Sequence, residues 1–214
     1  MLELATHSGS SAEIGLAEQA ILKGAIQKPE ELESLVKLIE SRKKPRCVLE
    51  IGTMAGGTLW LWCQLAYPTA HIVSVDLPGG DWGGGYSEEL VPKLLTYTKQ
   101  QQTIQLFRCD SHDAQTLASV KRNLARQKTK IDFLFIDGDH TYDGVKSDFA
   151  MYGPLVKEDG LIVFHDIVDH TGIPDCQVKK LWDEIKVNHR HEEFISPKDG
   201  AAWGGIGVLI GGRS

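Results

Sequence analysis

The segment from Val48 to Ala66 constrains the fold more than any other. An apolar run, Val48 to Ile51, carries the carboxylate of Glu50 and opens directly into a turn holding Gly52, Thr53, Gly56 and Gly57. Helix-forming residues, Thr58 to Ala66, follow without a break. Strand, tight turn and helix in that order let backbone N–H groups and a helix N-terminus approach a ligand closely. The spacing is not the G-x-G-x-x-G of dinucleotide sites but E-x-G-x-x-x-G-G. Taken alone, the segment also suits an ordinary glycine turn with no ligand.

Downstream, apolar runs and helical periods alternate. The spacing predicts strands at 46–51, 71–76, 104–109, 131–136 and 160–165 and helices at 57–66, 87–101, 113–127, 142–155 and 177–187. Strict alternation with continuous apolar strands implies an α/β protein, a doubly wound sheet covered on both faces. Two further apolar runs, 191–195 and 206–210, are joined by a loop alone and read as a final hairpin, bringing the sheet to seven strands. Before the glycine turn, 12–26 shows helical spacing, and Pro29, Glu30 and Glu31 begin a second helix with proline in its first turn. These two form an N-terminal helical cap over about 12–43, while 1–11 reads as short, polar and loosely ordered. One domain over 1–214 is expected, with a possible homodimer through the cap.

A formal charge of −6 and the lack of a basic stripe argue against a nucleic-acid partner. No run reaches the roughly 20 apolar residues of a membrane span, and no secretory leader is visible. Cys47, Cys63, Cys109 and Cys176 form no C-x-x-C pair and read as small buried hydrophobes in a reducing compartment, so a cytoplasmic protein is expected.

Ligands of doubly wound sheets sit beyond the carboxyl ends of the strands. The residues there are acidic. Asp76 ends the second strand, and its two oxygens suit a pair of ribose hydroxyls, or a cap of the next turn. Asp110, Ser111, His112 and Asp113 follow the third strand, where Ser111 or Asp113 also suits a helix cap. Asp137, Asp139 and His140 follow the fourth, and His165 and Asp166 end the fifth. Carboxylates with an imidazole or two suit a divalent ion.

The motif from Glu50 to Gly57 resembles motif I of the class I S-adenosylmethionine-dependent methyltransferases. The run from Asp137 to Tyr142, Asp148 in the next helix, and the run from Gly160 to Asp166 resemble the metal-dependent small-molecule O-methyltransferases, of the catechol type and the type that methylates macrolide sugars. The resemblance spans about Pro29 to Leu209. It implies a Rossmann-like fold whose last strand is antiparallel, with S-adenosylmethionine as cofactor. It places Glu50 near the amino-acid part, Gly52 where the ligand passes, Gly56 and Gly57 at the close-packed helix start, Asp76 at the ribose and Asp110 at the adenine, with Thr53, Ser111 and Asp137 among the further contacts. It implies Asp137, His165 and Asp166 as ligands of magnesium or manganese. His165 stands where those families have an acid. His140, three residues after Asp137, takes the position of the base, or serves only as a helix-start residue. The acceptor is then a small molecule with a hydroxyl group. A metal-free methyltransferase, a nucleotide-dependent oxidoreductase and a non-catalytic cofactor-binding module are the alternatives. The glycine-rich stretch 77–86, with Trp82 and Tyr86, reads as a flap over the cofactor, and Trp203 as a residue of the rim or the core.

Overall fold

The computed structural model describes residues 14–79, 84–99, 101–196 and 203–211. The stretch 1–11 and Trp82 therefore lie outside the described residues. Two helices, α1 (Leu16–Leu22) and α2 (Pro29–Glu40), lead into β1 (Cys47–Ile51) and α3 (Gly57–Leu65). Then come β2 (His71–Asp76), α4 (Val91–Leu95), β3 (Thr103–Arg108), α5 (Ala114–Arg126) and β4 (Ile131–Ile136). The chain closes with α6 (Tyr142–Tyr152), β5 (Val156–His165), α7 (Val178–Ile185), β6 (His191–Phe194) and β7 (Ile206–Ile210).

The seven strands form one sheet in the order β3-β2-β1-β4-β5-β7-β6. β1 to β5 pair in parallel, and β7 runs antiparallel between β5 and β6. This is the expected Rossmann-like methyltransferase arrangement, with its antiparallel last strand. Side chains alternate along each strand, so two cores result. Val48, Phe133, Phe135 and Val163 face α1 to α4, while Leu49, Ile51, Leu134 and Ile162 face α5 to α7. α3 is apolar almost all round because it lies between the sheet and α1. Its Trp62 packs on Phe133 and Phe135 with ring centroids 4.8 and 5.1 Å away.

Two helices differ from expectation. α1 is only seven residues long. It ends in a Schellman turn: Gly24 (φ 102°) donates to the Ile21 carbonyl, and Ala25 to that of Ala20. The expected helix over 87–101 is a 3-10 turn at Glu88–Leu90 and the short α4. Gln102 draws the following chain back to α3, accepting from the Lys99 N–H and donating to the carbonyls of Cys63 and Tyr67. β5 starts earlier than expected, through the exposed Glu158 and Asp159.

Among the cysteines, Cys47 and Cys63 are buried as expected, but Cys109 is exposed and Cys176 half-buried. Cys109 falls one residue beyond β3, so the sheet no longer covers it. Among the described residues no helix is long and apolar enough to cross a membrane.

Candidate active site

Gly52 (φ 85°) leaves β1 in the left-handed region, where a Cβ would lie 1.9 Å from the Asp137 carbonyl oxygen. The end of β4 therefore presses directly on the glycine turn, and Asp137 N–H donates to the Ile51 carbonyl at 2.8 Å. Gly56 (φ 85°) and Gly57 are needed for other neighbours. A Cβ on Gly56 would meet Leu94, and one on Gly57 would meet the backbone of Ala25 and Ala20. The cap thus sits on the start of α3.

Asp76 organises the turn. One oxygen accepts from the N–H groups of Thr53 and Met54, both at 2.7 Å, and the other from Leu77 at 2.8 Å. Burial raises its pKa despite these bonds. A carboxylate offers about four lone-pair positions, and three of Asp76's are used by the backbone.

Glu50 lies elsewhere. It shares a face with Val48 and points beneath α3, fully buried. Its oxygens accept from Trp62 Nε1 and Thr53 Oγ1, each at 2.7 Å. Burial pushes its carboxyl up to about 7, although the bonds from Thr58, Thr53 and Trp62 oppose this. Glu50 supports the turn from below through Thr53, which also meets Ser74 Oγ at 2.7 Å.

After β3, Asp110 is exposed and accepts from the His112 N–H. The Ser111 carbonyl accepts from the Tyr152 hydroxyl. The cap of α5 is Asp113, which accepts from Gln115 N–H. Tyr86, anticipated on a flap, is instead 3% exposed and packed in the core beside Leu94 and Tyr97.

Beyond β4 and β5, four titratable side chains meet. His140 places Nε2 3.3 Å from Asp137 Oδ1 and Nδ1 3.3 Å from Asp166 Oδ2. His165 Nδ1 lies 3.1 and 3.4 Å from the same two oxygens. Both ring nitrogens of His140 thus lie beside carboxylate oxygens, an arrangement that favours the protonated imidazole. Burial would lower its pKa, but the Asp137 carboxylate and the Cys176 and Asp166 neighbours push it up to about 11. His165 is pushed up to about 10 in the same way, by Asp137 and Asp166 against burial. Burial works to raise both carboxyls, yet the imidazoles hold Asp137 and Asp166 below their ordinary range. Asp166 sits at φ 60°, and its Oδ1 accepts from Gly204 N–H at 3.1 Å.

This donor set suits a divalent ion. Ligand atoms of Asp137, His165 and Asp166 lie within 4.8 Å of one another, as do those of His140, Asp166 and Cys176. An ion held by this set would compete with protons on the imidazoles. Gln27 and Cys176 are the neighbours sequence reasoning missed. Gln27 Nε2 donates to Asp137 Oδ2 at 2.7 Å. Cys176 reaches the cluster because the next residue, Gln177, donates its N–H to the His140 carbonyl. Neither has a local signal: contacts across 110 residues, as for Gln27, come only from the topology.

Residues 49–167 match the family described as Methyltransferase domain. The match covers more than half of the chain, and the chain belongs to this family, that of the class I S-adenosylmethionine-dependent methyltransferases. Uncharacterized protein R132 of Acanthamoeba polyphaga mimivirus is 31% identical over 157 residues, 72% of this chain and 66% of that protein. Uncharacterized protein y4gI of Sinorhizobium fredii is 27% identical over 128 residues, 58% of this chain and 13% of that one. The chain thus spans less than two thirds of either relative. In fold it is similar to the O-methyltransferase from Bacillus cereus in complex with S-adenosylhomocysteine (TM-score 0.61, 13% identity, 92% of this chain and 91% of that one). It is similar to TomG from Streptomyces achromogenes in complex with S-adenosylmethionine (TM-score 0.62, 15% identity, 94% and 91%). It is also similar to MycE of the mycinamycin biosynthetic pathway in complex with magnesium and S-adenosylhomocysteine (TM-score 0.56, 19% identity, 92% and 54%).

Proposed function

We propose that this protein transfers the methyl group of S-adenosylmethionine to a hydroxyl oxygen of a small metabolite, using a divalent ion, in the cytoplasm. The observation that carries this reading is the meeting of Asp137, His140, His165 and Asp166 directly beside the Gly52 turn. The turn and Asp76 hold the cofactor, with Asp76 accepting from its ribose hydroxyls. The acceptor oxygen attacks the methyl carbon, the carbon–sulfur bond breaks, and its electron pair returns to sulfur. The sulfonium is already activated, so the protein's tasks are alignment, exclusion of water and removal of the hydroxyl proton. His140 takes that proton. Asp137, His165 and Asp166 would hold the ion, which supplies positive charge that acidifies the acceptor hydroxyl and lowers the pKa of His140 into a useful range.

The test begins with binding. S-adenosylhomocysteine raises the melting temperature through mass action. Asp76→Ala weakens its binding more than about tenfold, or about 1.4 kcal/mol. Asp137→Asn and Asp166→Asn abolish calorimetric binding of Mn²⁺, and Asp166→Asn leaves S-adenosylhomocysteine affinity unchanged. Binding of NAD in place of S-adenosylhomocysteine overturns the methyltransferase reading. Mn²⁺ binding that survives both substitutions overturns the metal assignment alone.

A further inference from the structure

Cys176 changes what the strand-end cluster can hold. The loop after β5 folds back so that the Cys176 N–H donates to the Ile173 carbonyl at 3.0 Å and the Gln177 N–H to the His140 carbonyl at 2.8 Å. These bonds fix the thiol beside the imidazole, and α7 begins two residues later, at Val178. Ligand atoms of His140, Asp166 and Cys176 lie within 4.8 Å of one another. Around a tetrahedral ion with bonds of about 2.0 to 2.3 Å, neighbouring ligand atoms stand roughly 3.5 Å apart. Small rotations of the thiol and the imidazole therefore close the set.

This set differs from that of Asp137, His165 and Asp166 in chemistry and in access. Two carboxylates and an imidazole suit magnesium or manganese, whereas a thiolate beside an imidazole selects zinc. The side chain of Asp137 is 14% exposed and those of His165 and Asp166 5%, while His140 is 36% exposed and Cys176 half-buried. The softer set thus faces the solvent from which an ion arrives. Its supports are already in place. His140 Nδ1 lies beside Asp166 Oδ2, and Nε2 lies 3.3 Å from Asp137 Oδ1. A carboxylate at the second nitrogen is the usual support of a metal-bound histidine. Asp166 Oδ1 accepts from Gly204 N–H, which leaves Oδ2 for an ion. We infer that His140, Asp166 and Cys176 form a zinc site, and that zinc held there switches the protein off by occupying the imidazole that takes the acceptor's proton. Binding forms zinc–nitrogen, zinc–oxygen and zinc–sulfur bonds, and the thiol proton and the Nδ1 proton leave to solvent. No atom changes oxidation state. Asp166 Oδ2 belongs to both sets, so zinc and the ion proposed above exclude each other. The inhibitory consequence rests on the methyltransferase reading, and the zinc site itself does not.

The experiment uses the full chain, with Co²⁺ as the spectroscopic probe of the zinc site and Mn²⁺ as the probe of the other set. Co²⁺ is expected to give a thiolate-to-metal charge-transfer band in the near ultraviolet, which Zn²⁺ then bleaches. Cys176→Ser is expected to remove the band and to weaken calorimetric Zn²⁺ binding by at least about tenfold, with Mn²⁺ affinity unchanged. Cys109→Ser, at the exposed thiol, keeps the band. His140→Gln, which removes the nitrogen ligand, weakens Zn²⁺ by a similar factor and serves if the serine variant does not fold. In wild type, added Zn²⁺ is expected to raise the paramagnetic resonance signal of free Mn²⁺, and in Cys176→Ser the same Zn²⁺ concentration leaves it flat. Absence of the band in wild type, or its survival in Cys176→Ser, overturns the site, as does Zn²⁺ affinity that both variants leave unchanged. Zn²⁺ and Mn²⁺ bound together overturn the exclusion. Failure of Mn²⁺ to bind wild type overturns the earlier metal assignment and the exclusion with it, while the cobalt band still decides the zinc site. Failure of S-adenosylhomocysteine to bind overturns the methyltransferase reading and the inhibitory consequence, and leaves the zinc site standing on its own spectrum.

Discussion

At the scale of single residues, Glu50 shows how a motif can be read correctly and its parts assigned differently. The run from Glu50 to Gly57 announced the turn, yet the parity of the strand puts Glu50 with Val48, under α3 and against Trp62. That parity was present in the sequence; the depth of the burial was not, because it depends on how α3 lies. The consequence is measurable. The folded carboxyl titrates at about 7 against an ordinary 4.5, because burial disfavours its charge. The native state then holds a proton that the unfolded chain releases between those values, so stability falls as pH rises through that window. Glu50→Gln is expected to match wild type in thermal melts near pH 4.5 and to exceed it at pH 8, by on the order of 2 kcal/mol. Equal stability at both pH values would show that Glu50 is charged in the folded protein.

Between elements, the strand-end acids were legible because a parallel sheet brings the carboxyl ends of β1, β2, β4 and β5 to one edge. Their partners on neighbouring helices were not. Asp148 is fully buried on α6 and meets His112 Nε2 at 3.3 Å, in the loop between β3 and α5. The same nitrogen donates to the Gly144 carbonyl at 3.1 Å. Asp148, followed by the more distant Asp110 and Asp139, pushes His112 up to about 9 against its partial burial. A histidine raised in the folded state stabilises fully below its ordinary 6.5, and the effect is lost as pH climbs through 9. His112→Ala is therefore expected to lower the melting temperature most below pH 6.5 and to converge on wild type above pH 9. A melting difference independent of pH would show a packing role only. The broken helix between β2 and β3 has a similar origin. Its local sequence supports a helix over 87–101, and the override comes from Gln102 bonding to α3, a contact that no local period encodes.

For the molecule as a whole, the fold class followed from the alternation of strands and helices, whereas the placement of the cap did not. α1 and the turn after it rest on Gly57, where a methyl group would lie 2.1 Å from the Ala25 nitrogen and 2.5 Å from the Ala20 oxygen. Gly57→Ala is expected to destabilise by more than about 2 kcal/mol, since close-packed backbone has no room to yield. Hydrogen exchange should quicken at 20–27 while β5 and β7 keep their protection. Uniform quickening would place the damage in α3 instead of the cap. The cap is also held at its other end, where Glu31 on α2, 2% exposed, accepts from the N–H groups of Ser196 and Gly205, each at 2.8 Å.

That last clasp, with the bond from Gly204 to Asp166, sets an order of events during synthesis. The glycine turn and Asp76 emerge from the ribosome early, and β1 to β3 can pair as soon as they appear. Asp166, in its left-handed conformation, gains the bond from Gly204 only once that residue follows, and Glu31 gains its bond from Gly205 later than that from Ser196. The bonds from Thr53, Met54 and Leu77 to Asp76 can form before these later residues are made. Loss of the segment carrying Gly204 and Gly205 is therefore expected to disturb the Asp166 cluster and the cap together.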